Sequence, residues 1–175
     1  QIVQLQYDMV HEADPEAVCS INIYGELTEL FNLGLLDFPK DVIEIWADNG
    51  YGKMVSRRQG NHDPREAVLT VPNIAGRPRG IYYHVAFHDL QDSNFLTPLP
   101  NSPGFVANEL MKVREARMDD LVLVNTGNIK PHIIFLQEVA DFWRQDYQKK
   151  ATTTVIKTHV QRYYSQEQQA LIQLY

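Results

Sequence analysis

Four short apolar segments that alternate with helix-like stretches most constrain what this chain can fold into. They span residues 18–23, 42–46, 81–87 and 121–124. Between them apolar side chains recur at helical spacing, as in residues 27–35. Strands alternating with helices are typical of a parallel α/β sheet or barrel. An eight-stranded barrel typically needs ~250 residues. The 175 residues are too few to close one, so the pattern predicts either an open parallel sheet or a partial TIM-like (β/α)8 barrel of about four parallel strands with crossover helices.

The remaining segments predict how the chain is divided. Residues 1–150 are expected to form the α/β part, and 151–175 a C-terminal amphipathic helix leading to a following helical region. The stretch 53–79, which is rich in Pro and Gly, predicts a long loop. Two helical stripes are expected, one of Leu136, Val139, Trp143 and Tyr147, the other of Val155, Tyr163, Leu171 and Leu174.

Composition and charge exclude several classes of protein. With 44 % hydrophobic and 10 % aromatic residues, the chain can bury a core, which argues against intrinsic disorder. Its single cysteine, Cys19, cannot form an intramolecular disulfide. The net charge of −6 argues against nucleic acid as a partner. No stretch approaches the ~18 apolar residues of a membrane helix, so no membrane span is expected.

Polar side chains follow each of the four predicted strands. They are Tyr24 and Glu26, then Asp48, Asn49 and Tyr51, then His84, then Asn125. Because the carboxyl ends of parallel strands share one rim, where ligands bind, we expect these residues to meet there. Carboxamides and an imidazole can donate and accept hydrogen bonds, which suits a polar ligand. Aromatic rings are candidate stacking surfaces, namely Trp46, Tyr51 and Tyr82.

Each of these residues also has a purely structural interpretation. Asn49 and Asn125 are residue types that form turns or cap helices. His84 alternates with other residues on one face of its strand and competes as a hydrogen-bonded core histidine. Glu26 opens a helix, where the macrodipole favours a carboxylate without any chemistry.

A metal site is the weaker alternative. His84, His88 and Asp89 are close in sequence, and His62-Asp63 lies in the preceding loop. On a strand running into a loop, residues four apart are too distant to chelate as they do on a helix. We therefore expect no metal and no cofactor. A metal-dependent hydrolase would instead lose its activity in chelator.

The chain resembles the central part of glycoside hydrolase family 115, the xylan α-1,2-glucuronidases. The likeness covers roughly residues 1–150 and is carried by segments in the same order: Tyr24-Gly-Glu26-Leu, Ile-Trp46-Ala-Asp48-Asn49-Gly-Tyr51-Gly52, Gly80-Ile-Tyr-Tyr-His84-Val, Pro103-Gly-Phe-Val-Ala-Asn-Glu109-Leu and Asn125-Thr-Gly-Asn128-Ile-Lys-Pro131. The resemblance implies an inverting enzyme that removes glucuronic acid, or its 4-O-methyl ether, from xylan without a metal.

The resemblance also implies roles for individual residues. Glu26 matches the family's active-site glutamate, and Tyr24 a family tyrosine. Asn49, His84 and Asn125 match residues that contact the uronic acid. Asp48 and Tyr51 are additional candidates, as is Phe87, which stands where the family usually has tyrosine. A uronate carboxylate also suits a cation, and the candidates are Arg57, Arg58 and Lys130.

One expected part of the chemistry is missing from these residues. The family pairs the glutamate with an upstream aspartate in a Gly-x-Arg-Gly-x-x-Asp-like motif, and nothing before Tyr24 supplies it. Inverting hydrolysis needs two carboxyl groups roughly 6.5–9.5 Å apart. We therefore expect the chain alone to be incomplete and inactive.

Several broader expectations follow from the resemblance. The expected partner is glucuronoxylan or a uronic-acid-substituted xylo-oligosaccharide, and a homodimer through helical regions at or beyond the end of the chain is a candidate assembly. An extracellular, secreted location follows from the substrate alone. The rival from another class is a non-catalytic carbohydrate-binding or scaffold fragment, which would bind the sugar without releasing it.

Overall fold

A computed structural model gives the architecture of residues 2–56, 68–70, 76–86, 99–144 and 146–172. The strands are β1 (Ser20–Ile23), β2 (Ile43–Ala47), β3 (Arg79–His84) and β4 (Leu121–Asn125). The α-helices are α1 (Ile2–Ala13), α2 (Glu26–Asn32), α3 (Pro103–Glu115), α4 (Ile129–Phe142), α5 (Thr152–Tyr163) and α6 (Gln166–Ile172), and a 3₁₀ turn spans Val68–Thr70. The chain divides into two compact units, the first formed by 1–84 and 112–125, the second by 85–111 and 126–175.

The first unit contains a four-stranded sheet in the order β1-β2-β3-β4. Each neighbouring pair is parallel, as the alternation of segments predicts. The register places Ala47 opposite Tyr82 and His84 opposite Asn125, so neighbouring strands end at one edge. Parallel strands with intervening helices form an α/β arrangement consistent with part of a TIM-like barrel, which confirms the predicted fold class.

Helices α1 and α2 pack beside this sheet. Phe31 of α2 meets the Trp46 ring edge-on, with centroids 5.0 Å apart. A groove of about 230 Å³ lies between α1 and the start of β1; its lining residues are Val3, Gln6, Tyr7, Val10, Cys19, Ser20, Ile21 and Val42. The Tyr7 hydroxyl donates a hydrogen bond to the Asp41 carboxylate. That bond raises the pKa of Tyr7 to about 12 and lowers the pKa of Asp41.

Gly80 allows β3 and β4 to approach closely. It lies opposite Leu121, and a Cβ added to it would lie 2.3 Å from the Leu121 carbonyl oxygen. Because the obstacle is backbone, the strands would have to separate. We expect Gly80→Ala to lower the free energy of unfolding by about 1–3 kcal/mol, the usual cost of overpacking. Urea denaturation measures this, and exposed Ser20→Ala on β1 is the control, expected within about 0.5 kcal/mol of wild type.

The second unit is helical in its described part. Helix α3 begins as predicted, with the Ser102 hydroxyl accepting from the Phe105 backbone N–H at 3.1 Å and Pro103 in the first turn. Helix α4 buries His132, Phe135, Glu138, Val139 and Phe142. The predicted stripe is therefore partly wrong. Val139 belongs to it, whereas Trp143 is half exposed at the C-cap and Tyr147 lies beyond the helix.

The tail is two helices rather than the predicted single one. The backbone of Tyr164 is extended, which ends α5, and Ser165 caps α6. The Ser165 hydroxyl accepts from the Gln168 backbone N–H at 3.4 Å, while the Gln168 side chain accepts from the Ser165 N–H at 3.1 Å. This reciprocal capping box starts a new helix. Val160 is the buried residue of α5, Tyr163 is about half exposed, and partial burial lowers the pKa of His159.

None of the helices in the described segments is both long and apolar enough to cross a membrane.

Candidate functional site

The turn from β1 into α2 brings Tyr24 and Glu26 to the carboxyl edge of the sheet. β1 ends at Ile23 and α2 begins at Glu26, so two residues make the connection. Gly25 allows this short turn because its φ of 55° is one that other residues rarely adopt. Tyr24 is partly buried. The backbone thus places Glu26 at the rim, while its side chain lies outside the described part of the chain.

The loop after β2 is shaped by the side chains of Asp48 and Asn49. The Asp48 carboxylate accepts from the Gly50 backbone N–H at 2.7 Å. The Asn49 amide oxygen accepts from the backbone N–H groups of Tyr51 at 3.0 Å and Lys53 at 3.2 Å. Asn49 is therefore a turn former, as its structural interpretation predicts, and its amide nitrogen is the group able to donate to a ligand.

Asp48 and His84 form a buried pair across β2 and β3. Nδ1 of His84 lies 2.6 Å from Asp48 Oδ1, and the His84 backbone N–H donates to Asp48 Oδ2 at 2.9 Å. The two side chains are 0 % and 2 % exposed. A carboxylate accepts only, so the proton of this contact lies on Nδ1. His84 is thus hydrogen-bonded in the core, as its structural interpretation predicts.

Tyr82 and Asn125 extend this arrangement toward solvent. The Asn125 side-chain amide donates to the Tyr82 hydroxyl at 2.9 Å. The Tyr82 ring lies 4.5 Å from the His84 imidazole, centroid to centroid, at a tilt of 50°. Both Tyr82 and Asn125 are partly buried. Residues of three neighbouring strands and their loops are therefore joined at one edge of the sheet, as the strand-end argument predicts.

The hydroxyl role of Tyr82 was missing from the sequence prediction, which offered this residue only as a stacking ring. Tyr82 shares a strand face with His84, and Asn125 lies directly opposite His84 on β4. The alternation within β3 was visible in the sequence. The pairing of β3 with β4, which brings the hydroxyl to the amide, was not specified by any local pattern.

Some predicted site residues do not join this group. The prediction that Trp46 is a stacking surface is wrong, because this residue is 0 % exposed and its ring packs on Phe31 of α2. Successive residues of a strand point to opposite faces of the sheet, so the side chains of Trp46 and Ala47 lie on different faces. Lys130 is exposed in the first turn of α4, in the second unit.

Other predicted residues lie outside the described part of the chain. These are Arg57, Arg58 and Phe87, together with the alternative metal ligands His62, Asp63, His88 and Asp89. Within the described segments no group of three or more His, Cys, Asp or Glu side chains is placed to hold a metal ion. The groove beside α1 lies at the start of β1, at the opposite end of that strand from Tyr24.

The candidate site thus belongs to an α/β protein whose parallel strands present polar side chains at their carboxyl edge. The family model of Glycosyl hydrolase family 115 matches residues 1–174. The chain belongs to this family.

Structural comparison agrees with the fold. The chain is similar to the solved structure of BtGH115A, a family GH115 4-O-methyl-alpha-glucuronidase with specificity for decorated arabinogalactans. The TM-score is 0.62 at 22 % sequence identity, over 82 % of this chain and 18 % of that one. The chain therefore spans less than a fifth of the neighbour's length. A search of curated proteins finds no match.

Proposed function

We propose that this chain contributes the sugar-binding edge and one catalytic carboxyl group to a glycoside hydrolase that removes glucuronic acid, or its 4-O-methyl ether, from a polysaccharide. The observation that carries the proposal is the connected group of Asp48, His84, Tyr82 and Asn125 at the carboxyl edge of the sheet. Family membership supplies the class of reaction.

The chemistry of the edge suits a uronic acid. The amide groups of Asn49 and Asn125 offer donors to ring hydroxyls, and the partly buried Tyr82 offers both a ring edge and a hydroxyl. His84, which the resemblance assigns to contact with the uronic acid, lies against the Tyr82 ring. Tyr24 completes the edge on the β1 side. Sugar sites commonly combine a few oriented polar groups with an aromatic wall.

Glu26 is the residue that we assign to proton transfer. In an inverting mechanism one carboxyl group protonates the leaving oxygen and a second activates water on the other face of the sugar. Two residues separate Glu26 from the end of β1, and its carboxyl group would be one of these two groups. The second carboxyl group would come from an upstream aspartate of the family pattern.

The identity of the polysaccharide is the more specific part of the proposal. The sequence resemblance favours xylan, whereas BtGH115A has specificity for decorated arabinogalactans. The deciding experiment incubates the full-length protein with glucuronoxylan and, separately, with glucuronic-acid-decorated arabinogalactan, and measures the free uronic acid released. Release from xylan supports the resemblance. Binding without release from either polymer supports the rival, a carbohydrate-binding fragment. Secretion and homodimer formation remain predictions.

The Tyr82 hydroxyl is expected to contribute to sugar binding by orienting Asn125. Tyr82→Phe removes the acceptor of the Asn125 amide and keeps the ring beside His84. We expect affinity for free D-glucuronic acid, measured by calorimetric titration, to fall by roughly threefold to tenfold, the value of one neutral hydrogen bond. Tyr83→Phe, the same change on the opposite face of β3, is the control and should leave affinity unchanged. Equal affinities in both variants would contradict the assignment.

A further inference from the structure

Asp48 accepts three hydrogen bonds from two segments of the first unit. Two residues supply these donors: the Gly50 backbone N–H at 2.7 Å, and the His84 backbone N–H at 2.9 Å together with the His84 ring Nδ1 at 2.6 Å. The carboxylate thereby joins the loop after β2 to both the backbone and the imidazole of the last residue of β3. Its side chain is 0 % exposed, so it does not contact solvent.

The three donors require an acceptor without hydrogens. A carboxylate has two oxygens and no donor, which matches two backbone N–H groups and a protonated Nδ1. An asparagine at this position would turn an NH₂ group toward at least one of the donors. The structure therefore needs aspartate at position 48 for its charge and its acceptors, although its shape could be supplied by asparagine.

The contacts continue from Asp48 to the edge of the sheet. The His84 ring packs against Tyr82, and the Tyr82 hydroxyl accepts from Asn125. Asp48 lies at the buried end of this series, and the partly buried Tyr82 and Asn125 lie at its outer end. A ring rotation at His84 would remove the surface on which Tyr82 rests.

We propose that Asp48 is a positioning residue for sugar binding: it keeps the proton of His84 on Nδ1 and fixes the imidazole ring, and thereby holds Tyr82 and Asn125 in place. The inference rests on the proposed function, because it assigns a role at the same uronic-acid site. Asp48 itself does not contact the sugar.

A merely structural brace is the competing explanation, and the chain contains one for comparison. The Asp120 carboxylate accepts from the backbone N–H of Arg79 at 2.8 Å, at the start of β3. Asp48 does the same for His84 at the end of β3. Both aspartates brace β3 through its backbone, but Asp48 alone of the two also bonds an imidazole in the described structure. Asp120 is exposed whereas Asp48 is buried, so Asp120→Asn is the control for the loss of a backbone bond to β3.

The experiment compares Asp48→Asn and Asp120→Asn in the full-length protein. Calorimetric titration with D-glucuronic acid gives affinity, and thermal unfolding gives stability. Both variants should lose stability, but Asp48→Asn should also bind about ten- to a hundredfold more weakly, the usual value of a hydrogen bond to a charged group converted to affinity. Asp120→Asn should bind within about twofold of wild type. Wild-type-like affinity in Asp48→Asn would overturn the inference.

A double-mutant cycle tests whether Asp48 acts through its neighbours. In Asp48→Asn, adding Tyr82→Phe should weaken binding by much less than it does in wild type, because the two changes interrupt one series of contacts. Full additivity would overturn the inference. If Asp48→Asn fails to fold, His84→Gln replaces it, since that variant keeps the backbone N–H and removes the imidazole. If His84→Gln binds D-glucuronic acid as tightly as wild type, Asp48 cannot act through the imidazole, and the inference is overturned.

Failure of the proposed function has a different result. In that case the wild-type protein itself would not bind D-glucuronic acid, before any variant is compared. Binding by wild type with equal binding by Asp48→Asn contradicts only the positioning role.

Discussion

Replacing Glu26 with glutamine is expected to lower kcat for uronic acid release by about a hundred- to ten-thousandfold, the contribution typical of a general acid or base. Glutamine has the shape of glutamate but cannot carry the proton. Glu26 begins α2 two residues after β1, where the family resemblance places an active-site glutamate. Release of glucuronic acid from substituted xylo-oligosaccharide by the full-length protein measures the effect, and thermal unfolding checks that the variant folds.

Glu29→Gln is the matched control for this prediction. Glu29 is an exposed glutamate one turn further along the same helix, so its replacement makes the same change in charge on the same element. We expect its kcat to stay within about twofold of wild type. Turnover by Glu26→Gln at the level of Glu29→Gln would remove Glu26 from the mechanism and favour the non-catalytic alternative.

The sheet could be predicted from the sequence because its strands are marked locally. Residues 121–124 are continuously apolar, and β4 is observed at Leu121–Asn125. The further expectation that this strand is covered on both faces is wrong, because Leu123 is exposed. The polar residues after each strand were likewise visible locally. In a parallel sheet these residues lie at one edge whichever strands are neighbours, so the edge could be predicted without knowing which strands pair.

The face of each residue was harder to predict. In β2, Ile43, Ile45 and Ala47 alternate with Glu44 and Trp46, yet nearly all of them are buried. Burial on both faces removes the alternation that would tell one face from the other, and Trp46 was therefore assigned to the wrong one.

Hydrogen bonds between distant residues were likewise beyond local patterns. Asp48 and His84 are 36 positions apart and pair only through the register of β2 with β3. The break between α5 and α6 is a different case. The capping box of Ser165 and Gln168 is a local signal that the apolar stripe concealed.

Replacing Arg79 with methionine is expected to destabilise the first unit by about 3–5 kcal/mol, the cost of leaving a buried charge uncompensated. Arg79 Nε lies 3.0 Å from Glu44 Oε2, and the two side chains are 1 % and 0 % exposed. They face each other in the register of β2 with β3. A second cation, Arg77, lies 3.5 Å from the other oxygen of Glu44 and is shared with Asp37 at 3.2 Å, so it compensates the Glu44 charge only in part. Urea denaturation measures the loss.

The double variant Glu44→Gln/Arg79→Met separates charge from packing. If the loss in Arg79→Met comes from the unpaired carboxylate, removing that charge should restore a large part of the stability, so the double variant should be more stable than Arg79→Met alone. Arg144→Met is the control for a surface pair, because Arg144 lies 3.4 Å from Asp141 and is largely exposed. It should cost about 0–1 kcal/mol. Simple additivity of the Glu44 and Arg79 changes would assign the loss to packing, since the contact of the Arg79 guanidinium with the Trp46 ring is removed in both variants.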